Sequence, residues 1–195
     1  IKNIVKISEK IFEKKIDVTY NFHEETLGIE ADKNQVGQVF TNLIINSKDA
    51  MPGGGTITFE TRRTTVDKIK ARNTPGLKPG KYILIKVMDT GSGMEKETLD
   101  QIFEPFFTKK PKGIGLGLPT VNRIIRNHNG YIAVESEYGI GTIFSLYLPA
   151  SEKKIEDENV DKRALKLIRG NETVLIVDDE ADVSNLVMEM LETMG

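Results

Sequence analysis

Apolar positions along this chain recur in two rhythms, one close to the helical repeat and one at every second residue. Ile4, Val5, Ile11 and Phe12 fall at helical spacing and predict a helix over 1–15. Val18–Phe22 and Thr26–Glu30 read as two strands around His23-Glu24-Glu25, an apparent hairpin. Asp32 then suits the N-cap of a helix over 33–51. Its core stripe is Val36, Val39, Phe40, Leu43, Ser47 and Ala50. A second, polar stripe of Gln35, Gln38, Asn42, Asn46 and Asp49 lies about a quarter-turn away. Pro52-Gly53-Gly54-Gly55 ends this helix.

Thr56–Thr64 alternates as a half-buried strand does, and 65–80 reads as a polar loop closed by Pro79-Gly80. Tyr82–Met88 is nearly all apolar, which suits a central strand. Residues 95–102 predict a short helix, and Leu116–Asn129 another, stopped at Asn129-Gly130 by a left-handed turn. Tyr131–Glu137 and Thr142–Leu148 predict a hairpin about Tyr138-Gly139-Ile140-Gly141. Pro149 closes this domain, 1–149. Residues 150–171 are rich in Lys, Glu and Asp and read as a linker, with helical character near 160–168. In 172–195, Val174–Val177 is a continuous apolar run ending in Asp178-Asp179-Glu180, followed by an apolar helical stripe from Val183 to Met194. One strand and one helix expose more apolar surface than they hide. This piece is therefore expected to borrow the sheet of another domain or copy.

Composition narrows the functional classes. A formal charge of −2 gives no general attraction to nucleic acid or to an anionic membrane. There is no cysteine, so disulfides and thiolate metal sites are excluded. No apolar run approaches the ~20 residues of a membrane helix, and no signal-peptide pattern is present. Residue 1 is Ile, which suggests a piece of a longer protein.

The chemistry concentrates in an ordered set of segments. Asp89-Thr90-Gly91-Ser92-Gly93-Met94 follows the central strand, and strand period two places Asp89 on the face of Ile83, Ile85 and Val87. A carboxylate held between layers needs hydrogen-bond donors, and the exocyclic amino group of adenine is one. Gly113-Ile114-Gly115-Leu116-Gly117-Leu118 precedes a helix, whose N-terminal N–H groups favour phosphate. The segment before it, Lys109-Lys110-Pro111-Lys112, is not a strand, which argues against a dinucleotide-binding fingerprint. Those three lysines are either a solvated loop or a counter-charge for a triphosphate. Phe103-Glu104-Pro105-Phe106-Phe107 lies between the glycine-rich segments as core or as the hinge of a cover. Asn46, with Asn42 and Asp49, offers hard oxygen ligands of the kind Mg²⁺ takes. His23 and His128 lie in a turn and at a helix end, contexts that suit structural roles better than catalysis.

Taken in order, these segments resemble the ATP-binding catalytic domain of sensor histidine kinases, in the GHKL superfamily. Asn42–Ala50 resembles the N box, with a nitrogen-regulation-like ending Lys48-Asp49-Ala50-Met51. Asp89–Met94 resembles the G1 box, Phe103–Phe107 the F box and Gly113–Leu118 the G2 box. Gly139-Ile140-Gly141-Thr142 with Phe144 resembles the terminal signature. The resemblance implies an α/β fold, a two-layer sandwich of a mixed sheet with helices on one face. It implies ATP between the layers, with Asp89 on adenine, Thr142 near the base, Asn46 on Mg²⁺, and a lid over about 95–115. Gly91, Gly93, Met94, Phe107, Lys109, Lys110, Lys112, Gly113, Gly115, Leu116, Gly117 and Leu118 are the implied nucleotide contacts, alongside Asn42 and Asp49. Hydrolytic relatives carry a Glu where this chain has Asn42, which points to phosphoryl transfer. The implied acceptor is a histidine on a separate dimerisation domain, and neither His23 nor His128 has its sequence context. Val174–Glu180 resembles the first strand of a receiver domain, with Asp178-Asp179 as its acidic pair. The parent implied is a homodimeric hybrid kinase with a cytoplasmic catalytic part, working with a response regulator.

Overall fold

The alternation of side chains along β3 (Gly80–Asp89) sets the architecture. Ile83, Ile85 and Val87 go to one side and Tyr82 and Leu84 to the other, and all five are buried. A strand apolar on both faces must be covered on both, and it is. The computed structural model describes residues 15–22, 28–111 and 113–151. Within them, β1 (Ile16–Phe22), β2 (Gly55–Val66), β3, β4 (Tyr131–Glu137) and β5 (Gly141–Pro149) form one sheet in the order β1-β2-β3-β5-β4. β1 pairs with β2 in parallel and every other pairing is antiparallel, so the sheet is mixed.

Two longer helices, α1 (Lys33–Ala50) and α4 (Gly117–Asn127), pack on the face that carries Ile85 and Val87. Asp32 caps α1 as expected, its carboxylate accepting from the Gln35 N–H at 2.8 Å. The core stripe of α1 is Val39, Phe40, Leu43, Ile44 and Ser47. Val36 and Ala50 are only half-buried, and Ile44 replaces them in the innermost layer. Val121, Ile124 and Ile125 of α4 complete the layer over Ile57, Phe59, Phe144 and Leu146. Asn129 takes the left-handed conformation, φ 54°, that ends α4.

Three expectations are corrected. Thr26–Glu30 does not form a hairpin partner for β1. Where the segment is described, Ile29 makes only an isolated bridge to Ala150, and β1 runs parallel to β2. A parallel neighbour needs a crossover, and α1 is that crossover. The stretch 65–80 is not simply a loop. β2 runs on to Val66, and Asp67 caps a short helix, α2 (Lys68–Asn73), accepting from the Lys70 N–H at 2.7 Å. This segment lays Leu77 and Ala71 over Val66, Tyr82, Leu84 and Tyr147, a second small core on the other face of the sheet. The third helix, α3 (Lys96–Leu99), is shorter than its expected span. The expected helix over 1–15, apart from Lys15, together with His23, Lys112, the linker beyond Ser151 and the 172–195 unit with Asp178 and Asp179, lies outside the described residues. Among the described residues, no helix is long and apolar enough to cross a membrane.

Candidate functional site

Strand register carries Asp89 to the end of β3, opposite Ile57 on β2 and Thr142 on β5, facing the helix layer. Its carboxylate is only 8% exposed. Oδ2 accepts the Ser47 hydroxyl at 3.0 Å and Oδ1 accepts the Gly91 N–H at 3.0 Å. Burial pushes the carboxyl above the usual carboxylate range, while hydrogen bonds from Gly91, Ser47 and the Thr142 N–H pull it back. Ser47 was read from the sequence as a core position. A serine inside an apolar stripe is the signal that a buried acceptor faces it.

The glycines after Asp89 are fixed by what touches them. The Ser92 N–H donates to the Ala50 carbonyl at 2.9 Å, which holds this loop against the end of α1. A Cβ on Gly91 would come within 2.6 Å of the Ala50 Cβ. Gly93 has φ 60°, and a side chain there would run into the Glu137 carbonyl. On the far side, the Gly139 N–H donates to the Ser92 carbonyl at 2.7 Å. Thr142 is buried, and its hydroxyl meets that of Ser136 at 2.9 Å. Met94 is half-buried against the main core.

The second glycine-rich segment stands beside α1. The Asn42 Nδ2 donates to the Gly117 carbonyl at 3.3 Å, where α4 begins. Leu116, the N-cap of α4, makes no side-chain cap hydrogen bond, and the first turn carries no acid. Among the described residues, neither the N-cap nor the first turn of α4 offers its first N–H groups a side-chain acceptor. Leu118 packs against the core, while Gly113 and Leu116 are exposed. The Phe106 N–H donates to the Gly115 carbonyl at 3.0 Å, and both residues have positive φ, 68° and 72°. That pair closes the base of a short strap over 107–114. Phe103 packs into the core, Phe107 is half-buried and Phe106 is 72% exposed, so the aromatic run divides between core and surface.

The strap carries two lysines to acids. Lys110 Nζ lies 2.8 Å from Asn46 Oδ1 and 2.7 Å from Asp49 Oδ2. Lys109 Nζ lies 3.6 Å from Glu95 Oε2, an exposed pair. His128, at the end of α4, is structural. Its Nε2 accepts the Asp32 N–H at 3.1 Å and its Nδ1 lies 2.8 Å from the Ile124 carbonyl, so it ties the start of α1 to the end of α4. Sequence reasoning missed this link, because it joins residues far apart in the chain. Of the expected site residues, Asn42, Asn46, Asp49, Asp89, Gly91, Gly93, Lys110, Gly115, Gly117 and Thr142 thus gather along one edge of the helix layer.

A family model described as histidine kinase-, DNA gyrase B- and HSP90-like ATPase matches residues 31–152. The chain belongs to that family. Its relatives are sensor kinases, and within the family it is a catalytic domain of the histidine kinase kind. Sensor kinase CckA of Brucella abortus is 37% identical over 191 residues, 93% of this chain and 20% of the relative. Sporulation kinase C of Bacillus subtilis is 41% identical over 136 residues, 69% of this chain and 28% of the relative. The chain thus spans less than a third of the length of either relative. The nucleotide-free catalytic domain of histidine kinase ThkA superposes with a TM-score of 0.60 at 29% identity, over 76% of this chain and 90% of that one. Full-length ShkA in complex with AMPPNP shares the fold, with a TM-score of 0.61 at 24% identity.

Proposed function

We propose that the chain binds ATP·Mg²⁺ between α1, α4 and the sheet, and presents the γ-phosphoryl to a histidine on a separate helical domain of the same parent. The observation that carries this reading is Asp89, a buried carboxylate whose two oxygens can accept a further donor beyond Ser47, Gly91 and the Thr142 N–H. In this reading it accepts the amino group of adenine, with Thr142 beside it.

The donor set also suits the rest of the ligand. Asn46 Oδ1 and Asp49 Oδ2 already converge on one positive point, the Lys110 ammonium, which stands where a cation would. Both are hard oxygen donors. Mg²⁺ takes few protein ligands and completes its shell with waters and phosphates, so two such donors suffice. Bound Mg²⁺ would supply charge neutralisation at the β- and γ-phosphates. Gly113, Gly115 and the N-terminus of α4 would cradle the phosphates, with Lys109, Lys110 and Lys112 as counter-charge.

In this assignment the Asn42–Ala50 stretch is the N box. Asn42 is spent on the Gly117 carbonyl and has no basic oxygen with which to activate water. That favours phosphoryl transfer by positioning over hydrolysis. In the same reading, the catalytic domain, 1–149, is followed by a linker, 150–171, and by the start of a receiver domain, 172–195, with Asp178 and Asp179 as its acidic pair. The match to CckA takes in 93% of this chain, more than the catalytic domain alone, which supports a continuous two-domain parent.

Calorimetry with ATP tests the reading. Asp89→Ala should weaken binding about 10–100-fold, the worth of one hydrogen bond to a charged group. Unchanged affinity would remove Asp89 from the base site. Transfer of label from γ-labelled ATP to a separately supplied helical domain then tests the kinase step against hydrolysis.

A further inference from the structure

The position of Lys110 has a consequence for how the site is loaded. Its side chain and that of Asp49 are 43% and 42% exposed, so both ends are partly withdrawn from water. The arm that carries it is braced. The Lys110 N–H donates to the Thr108 hydroxyl at 3.0 Å, and the Gly113 N–H donates to the Lys110 carbonyl at 3.1 Å. The Phe106–Gly115 bond pins the base of the same strap. The ammonium therefore reaches α1 from a turn with its own internal hydrogen bonds, and takes two oxygens on adjacent turns of that helix. The neighbouring Lys109 is paired with Glu95 on the other side of the strap.

We propose that Lys110 is a resident cation. It latches the strap across the site by occupying Asn46 and Asp49, and the divalent cation that arrives with nucleotide must displace it. The proposal rests on the reading of Asn46 as a metal ligand, and deepens it. The ammonium and the metal compete for one pair of oxygens. Loading the site therefore frees the strap and releases the lysine, and emptying the site re-forms the latch. A cation faces Asp49 in either state, the ammonium before loading and the divalent ion after it.

The latch and the exchange are tested separately on the full 195-residue chain. First, hydrogen exchange of amides 107–113 is measured without nucleotide or metal in the wild type, Asp49→Ala, Lys110→Met and the double variant. An ion pair of this exposure shifts an opening equilibrium up to about fivefold. Each single variant should thus speed exchange about three- to fivefold, and the double variant no further. Equal exchange in all four proteins overturns the latch.

Second, with a non-hydrolysable ATP analogue at saturation, the Mg²⁺ concentration giving half the structural response is measured in the wild type and Lys110→Met. Removing the competitor should lower it by a similar factor. An unchanged or raised half-point, with faster strap exchange, overturns the displacement step and leaves a latch unconnected to metal. Failure of the underlying reading shows elsewhere, as undiminished Mg²⁺ dependence in Asn46→Ala, with the exchange result standing.

Discussion

Asp89→Asn separates what the buried carboxylate costs from what it does. The amide is nearly the shape of the acid. Its Oδ1 can keep the Gly91 N–H, and its Nδ2 can donate to Ser47 once that hydroxyl turns to accept. The substitution therefore removes charge while keeping the Ser47 and Gly91 contacts. In the nucleotide-free protein the carboxyl titrates above its ordinary range because burial disfavours the anion. The fold thus binds a proton more tightly than the unfolded chain does. For a carboxyl raised in this way, stability is fullest below the ordinary carboxylate range and is lost as pH rises through the raised value. Asp89→Asn should match the wild type in acid and become the more stable of the two as pH climbs through that window, with a plateau above it. ATP affinity should move the other way, falling about 10–100-fold at neutral pH as a charged acceptor is lost. Thermal denaturation from pH 3 to 8, paired with calorimetry, reads both. A wild type that is the more stable at neutral pH, by a margin growing with pH, would show that hydrogen bonding outweighs burial at Asp89 and refute the argument.

Three further outcomes follow from the same geometry. Asn46→Ala should abolish most of the Mg²⁺ dependence of ATP binding while leaving metal-free binding near the wild type, as read by titration with and without chelator. Gly93→Ala should destabilise the protein by about 1–3 kcal/mol, because φ 60° and the Glu137 carbonyl both oppose a side chain; denaturant unfolding with an unchanged midpoint would contradict this. Incubation of the chain with γ-labelled ATP should leave His128 unlabelled, since both its ring nitrogens are engaged, and acid-labile phosphate mapped to His128 would contradict it.

What was legible in the sequence follows the range of the interactions concerned. Periodicity located α1, α4 and strands β2 to β5, because each buries one face or both, and burial imprints a local rhythm. Asp89 was legible for the same reason, a polar residue continuing the buried face of an apolar strand. The parallel pairing of β1 was not legible, since nothing within Ile16–Phe22 states which strand lies beside it. Helix α2 was hidden in a segment whose many lysines and prolines read as loop. Its apolar positions, Val66, Ala71 and Leu77, are too widely spaced to show a period, yet they close the second core. The cross-links of the site, Asn42 to Gly117, Lys110 to Asn46 and Asp49, and His128 to Asp32, join residues 61 or more positions apart. Sequence reasoning named most of these residues but could not pair them.

Those pairings divide the site into two ends of unlike stiffness. At the base end, Asp89, Ser47, Gly91 and Thr142 are buried. The loop after Asp89 is tied by backbone bonds to Ala50 on one side and Gly139 on the other. Opening this end means breaking backbone hydrogen bonds and exposing core, so it is pre-organised and adds little ordering cost when the base enters. At the proposed phosphate end, beyond the Phe106–Gly115 bond at its base, the strap is held by lysine side chains on exposed acids, each contact worth no more than about 1 kcal/mol. That end can open without disturbing the core beneath α1 and α4. Under the proposed function, a site that grips ATP and then gives up its terminal phosphoryl to a separate domain would need this asymmetry. Affinity would reside at the base, where nothing has to move, and the weak contacts would lie where transfer requires access.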